Sequence, residues 1–99
     1  MWVQQAIEAM QSGVVLRLSY GDGYTRDVEV HAVGVSLSGH EVMRCWQLRG
    51  GKGPDERPGW TFARLDEPRM VTRTGERSHA PRAGYKRGDR ALRRVIAQI

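Results

Sequence analysis

A single cysteine, Cys45, stands in the 99 residues of this chain. An internal disulfide framework is therefore excluded, and a cytoplasmic protein held together by packing is expected. No apolar run approaches the ~20 residues that a membrane-spanning helix needs, so no membrane partner is expected. The N-terminus has no basic segment followed by a long apolar one, so no signal peptide is expected. No two of the three histidines stand at ligand spacing, which argues against a metal or other cofactor. Nucleophile-elbow, paired-carboxylate and zinc-hydrolase motifs are missing, which argues against an enzyme. Internal repeats are missing as well.

What is present fits one small globular domain. Hydrophobic residues at 39% and charged residues at 27% exclude wholesale disorder. A chain of this length holds one core and buries roughly 60–70% of its unfolded surface. The charge is unevenly placed. Residues 1–80 carry ten basic and ten acidic side chains, whereas residues 81–99 carry six basic ones against Asp89 alone. The sequence thus divides into a neutral body, 1–80, and a basic C-terminal extension, 81–99. The extension is where a polyanionic partner is expected.

Periodicity assigns the elements. Trp2, Val3, Ala6, Ile7 and Met10 recur at helical spacing and predict a helix over 2–11, stopped by Ser12-Gly13. Val14, Leu16, Leu18 and Tyr20 alternate with Val15, Arg17 and Ser19, which predicts a half-buried strand. Gly21-Asp22-Gly23 turns the chain into a long strand over 24–35. Its apolar phase slips at Gly34, the mark of a bulge or sharp bend. Further strands are expected over 41–48, around Trp60–Leu65 and over 69–74, with a loop from Gly50 to Gly59. Asp89 is positioned to cap a last helix with Ala91, Leu92, Val95, Ile96 and Ile99 on one face. Helix, five short strands and a helical tail predict a mainly β fold, a small curled five-stranded antiparallel barrel.

Ala6-Ile7, Leu18-Ser19-Tyr20, Gly23, Arg26, Val28-Glu29, His31 and Gly34 follow one another in a pattern. It continues through Gly39, Trp46-Gln47, Gly50-Gly51, Pro58-Gly59-Trp60, Phe62, Arg64-Leu65-Asp66, Pro81-Arg82 and Gly84-Tyr85. This succession, spanning nearly the whole chain, resembles the WYL domain, in particular the short stand-alone WYL-like proteins of bacteria. The resemblance implies an Sm-like, SH3-type barrel, a regulatory ligand-sensing role, and nucleic acid or nucleotide-like anions as ligands. Glu41-Val42-Met43 fills the position of the name-giving Trp-Tyr-Leu, and Val30 stands where the family has proline. No helix pair fits a helix-turn-helix, so sequence-specific operator binding by this chain alone is not expected.

Each candidate site residue has a plain structural alternative. Arg26 shares the phase of Val28 and Val30 and reads as an anion-binding cation, or as the partner of Asp66 or Glu29, or as a residue left exposed by a bent strand end. His31, in phase with Asp27 and Glu29, reads as a ligand or pH-sensitive contact, or more ordinarily as a surface histidine beside acids. Arg64 reads as a second anion-binding cation, which the resemblance implies, or as the partner of Asp66 or Glu67. Arg82 and Tyr85 flank Gly84 and offer a forked donor beside a stacking ring. Their alternative is a strap over the barrel, with Tyr85 packing and Arg82 capping a carboxylate. Trp2, Trp46, Trp60 and Phe62 are expected in the core. Gly50-Gly51-Lys52-Gly53 lacks the spacing of a phosphate-binding loop. Lys86, Arg87, Arg90, Arg93 and Arg94 are candidates for non-specific phosphate contact, and Arg90, Arg93 and Arg94 read alternatively as a solvated polar face. Cations in a helix's first turn oppose its dipole, so Arg90 and its neighbours do not serve the expected helix.

These readings converge on a non-enzymatic module that binds nucleic acid or a nucleotide-like anion. The alternative is a protein-interaction or oligomerisation module, possible as a homodimer, with the C-terminal apolar face as its contact.

Overall fold

The computed structural model describes all residues, Met1–Ile99. Helix α1 (Val3–Ser12) opens the chain. Six strands follow: β1 (Val14–Ser19), β2 (Thr25–Ser36), β3 (Glu41–Gly50), β4 (Gly59–Arg64), β5 (Met70–Arg77) and β6 (Leu92–Gln98). Every ladder is antiparallel. The order is β4-β3-β2-β1-β5, with β6 also paired to β2.

Two expectations are corrected here. The sheet is open: β4 and β5 lie at its ends and no ladder joins them, so the expected barrel does not close. The expected C-terminal helix is strand β6, which raises the strand count from five to six. The reason is tertiary. β3 occupies one edge of β2 along its length, while β1 reaches only as far as Val28 on the other edge. The second half of that edge, Ala32–Ser36, would leave backbone donors and acceptors unpaired, and β6 takes them up. A ten-residue helix with a basic first turn is marginal alone, and Val95 and Ile96 are β-branched. The Asp89 carboxylate does accept a hydrogen bond from the Ala91 N–H at 2.9 Å, but it closes a turn instead of capping a helix.

Helix α1 confirms the first periodicity. Ala6 and Ala9 are fully buried, and their small side chains let the helix lie close on the sheet. Trp2, Val3, Ile7 and Met10 flank them, and Gly13 ends the helix at φ 68°. The main core holds Leu16, Leu18, Val28, Val30, Val33, Met43, Cys45 and Leu65. A small second cluster of Ala32, Val42 and Leu92, with Phe62 beside it, lies beneath β6.

The phase slip of β2 comes three residues before its expected place. Val30 opposes Cys45 and Ala32 opposes Arg44, so His31 is the extra residue of a bulge. Gly34 has a different task. A Cβ there would stand 2.2 Å from the Arg94 carbonyl oxygen, so only glycine lets β6 come this close.

Candidate functional site

The polar face of β2 is covered. Asp27, Glu29 and His31 are 2%, 0% and 0% exposed. Buried ionisable groups need partners, and the chain supplies them. Asp27 accepts from Arg17 at 2.8 and 3.0 Å and from Arg49 at 2.7 Å. These guanidinium contacts, Arg17 foremost, hold its carboxyl below the usual range. Glu29 and His31 are met by the segment that follows β5.

That segment crosses the sheet as a strap. The His79 N–H donates to Glu29 Oε2 at 2.7 Å. Arg82 grips the same carboxylate through Nε at 2.7 Å and a terminal nitrogen at 3.2 Å. Burial pushes the Glu29 carboxyl up, but Arg82 and the His79 N–H together bring it below its ordinary value. The Arg82 backbone N–H donates to His31 Nε2 at 3.0 Å. Nε2 must therefore carry a lone pair, which puts the ring proton on Nδ1. Nδ1 in turn donates to the Glu29 carbonyl at 2.9 Å. Burial lowers the pKa of this neutral imidazole. The ring packs edge-on against Trp60, with centroids 4.7 Å apart, and beside Tyr85 at 5.2 Å. The Arg82 guanidinium lies 5.4 Å from the Trp46 ring.

Beyond Arg82 the strap and β4 enclose a cleft of about 700 Å³. Trp60 and Tyr85 form its apolar wall, their rings 6.4 Å apart and tilted by 32°. The Tyr85 hydroxyl donates to the Ile99 carbonyl at 3.1 Å. Burial raises the Tyr85 pKa, so the ring stays neutral near pH 7. Lys86, Arg87 and Arg90 line the mouth. Arg44 and Asp89 are there too, but they pair with each other at 2.6 Å, and Arg44 lies over Phe62. Lys86, Arg87, Arg90, Arg93 and Arg94 are all exposed, and none forms an ion pair. Arg93 and Arg94 stand further on, along β6.

The candidates named from sequence are thus sorted. His31, Arg82 and Tyr85 come together, but His31 is fully buried, neither at the surface nor open to a ligand. Arg82 caps a carboxylate and Tyr85 packs. Arg26 and Arg64 stay apart from them. Arg26 binds Glu56 at 3.1 and 3.0 Å and lies against the rings of Tyr20 and Tyr24. Its partner is neither Asp66 nor Glu29. Arg64 is held by Asp66, one of its two expected alternatives. The three arginines are thus engaged by three different carboxylates of the chain. Trp60, read from sequence as core, is half-buried and walls the cleft. The strap's side of the cleft was legible in Gly84-Tyr85 and the basic residues after it, whereas nothing in the sequence brought Trp60 to it.

No group of three or more His, Cys, Asp or Glu side chains is placed to hold a metal ion. No helix is long and apolar enough to cross a membrane. No protein-family model, curated protein or solved structure matches the chain, so the cleft's geometry stands on its own.

Proposed function

We propose that the chain is a non-catalytic binding module for nucleic acid or a nucleotide-like anion, with a regulatory role. The ligand lies in the cleft between β4 and the strap. The observation that carries this reading is the set of unpaired cations Lys86, Arg87 and Arg90 at the mouth of a cleft walled by Trp60 and Tyr85. Free cations suit phosphates, and an aromatic face suits a base. Arg26, Arg64 and Arg82 are saturated by their own carboxylates, so phosphate falls to the later cations. A WYL-type kinship belongs to the same proposal and rests on the succession of residues that resembles that domain; a closed Sm-like barrel does not, because the sheet is open. A cytoplasmic setting goes with a single free thiol.

Fluorescence anisotropy with labelled single-stranded RNA and DNA tests the reading across salt. Each phosphate contact on a single strand contributes a slope of about −0.7, so three cations predict about −2 in log affinity against log salt. Replacing Trp60 with alanine is expected to cost about 1–3 kcal/mol for one stacked base. Absence of binding at about 50 mM salt, together with no thermal shift from a nucleotide panel, would overturn the proposal.

A protein-interaction or homodimer module is the second reading. Val95 and Ile96 favour it, because they remain 37% and 38% exposed on β6. Sedimentation of the wild type against Ile96→Lys decides it, a dimer lost in the variant supporting association through β6.

A further inference from the structure

We propose that His31 is a proton-operated latch for the strap: protonating its Nε2 releases the Arg82 N–H and loosens residues 78–91 from the sheet. The latch itself stands on the geometry of the bulge. Its effect on ligand rests on the binding reading above, because the strap carries Tyr85, Lys86, Arg87 and Arg90 to the cleft.

A bulge supplies the latch. An ordinary strand residue in this position would spend its side chain on one face of the ladder. As the extra residue between Val30 and Ala32, His31 is turned into the strap with both ring nitrogens engaged. One nitrogen donates to the Glu29 carbonyl and the other accepts from the Arg82 N–H. That arrangement exists for the neutral ring alone. Imidazolium carries a proton on each nitrogen, so Nε2–H would face the Arg82 N–H, donor against donor, at 3.0 Å. Glutamine, lysine or arginine at this position would not switch near neutrality, whereas histidine does.

Burial of the ring, with the Arg82 guanidinium beside it, favours opening once the ring is charged, against the attraction of the Glu29 carboxylate. On β2 itself the nearest ionisable group is the Glu29 carboxylate, held by Arg82 and the His79 N–H. From the strap come the Arg82 guanidinium and the neutral Tyr85 ring. From β3, Arg44 sits beside the bulge but is held by Asp89. From β4 the uncharged Trp60 ring packs edge-on against it. A cationic His31 is repelled by Arg82 and competes with it for Glu29. Both effects act on the bonds that tie the strap down. Beyond them the strap is tied by the Ser78 N–H to the Gly13 carbonyl, by Asp89 to Arg44, by the Gly88 N–H to Gln98 and by Tyr85 to Ile99.

Hydrogen exchange read at single amides tests the latch on the unliganded protein from pH 7.5 to 5. With one proton linked to opening, protection of the 82–91 amides falls about tenfold per pH unit in the window below ~6.5, down to the closed-state pKa. His31→Gln keeps an acceptor for the Arg82 N–H and cannot be protonated, and its protection is expected to be flat. A wild-type profile as flat as the variant's would overturn the proposal. If the variant does not fold, nitrogen NMR of the wild-type ring decides alone: the Nδ1–H tautomer with a depressed pKa supports the latch, and a free, normally titrating ring sinks it. Oligonucleotide anisotropy separates the two readings. Opening with acid but no binding at any pH leaves the latch and removes the binding site; binding with a pH-independent strap removes the latch.

Discussion

Alanine at Gly34 provides a demanding test of how the C-terminal strand is held. Gly34 lies opposite Val95 of β6 and Val42 of β3. An added Cβ would stand 2.2 Å from the Arg94 carbonyl oxygen, 3.2 Å from its carbonyl carbon and 3.3 Å from Leu92 Cδ1. Carbon and oxygen rest about 3.3 Å or more apart, so β6 must withdraw by about 1 Å. The obstacle is backbone, which cannot rotate away, and this places the cost in the upper part of the overpacking range, about 2–3 kcal/mol. The lower entropy of an unfolded alanine offsets about 0.4–1 kcal/mol. The remaining loss of about 1–2.5 kcal/mol lowers Tm by about 4–20 °C in a domain of this size. Calorimetry measures the shift, and hydrogen exchange locates it in residues 92–98. Gly75→Ala is the control: it lies on exposed β5 with nothing near the added methyl, and no loss is expected. A Gly34→Ala protein with the parent's Tm and fully protected β6 amides would refute the reasoning.

Other consequences follow from the site. Converting Arg87 and Arg90 to glutamine together is expected to flatten the salt dependence of oligonucleotide binding by about 1.4, two contacts at ~0.7 each, with little change in Tm. Glu56 receives Arg26, Gln47 Nε2 and the Lys52 N–H, Arg26 foremost, and its carboxyl is pushed down to about 2. Since that value lies below the unfolded one, its contribution is complete above pH 4.5 and is lost as pH falls toward 2. Carbon NMR of the Glu56 carboxyl is expected to titrate there, with the 51–58 loop loosening in step. Cys45 is fully buried, and burial pushes its thiol up to about 12. Alkylation of Cys45 at pH 8 is expected only through unfolding, so labelling as fast as in a short Cys peptide would contradict the packing.

Local pattern was legible wherever one face of an element meets the core. The α1 face and the glycine stop at Gly13 appear where the residues place them, and so does the alternation of β1 from Leu16 to Ser19, although Val15, expected on its open face, is fully buried. The neutral body and basic end are likewise arithmetic of the chain. His31 was harder. Its parity with Asp27 and Glu29 pointed to a solvated face, because alternation cannot tell water from a strap that arrives some fifty residues later. The arginines failed for a related reason. Arg26, Arg64 and Arg82 each carry the charge an anion site needs, but whether a carboxylate of the same chain reaches them first is a matter of loop path.

The last ten residues separate the two kinds of information most clearly. Leu92, Val95, Ile96 and Ile99 fit a helix by spacing, and Asp89 fits its cap. Composition alone determined that this segment is basic, partly apolar and in need of a partner surface. Tertiary structure decided the rest. The unpaired second half of a β2 edge offered backbone hydrogen bonds that a short isolated helix could not match, and Gly34 let the strand come close enough to use them. The sequence by itself determined a small β domain with an amphipathic helix and a basic end. Only the fold determined which of its cations are free, because pairing depends on which carboxylates the chain's path brings within reach.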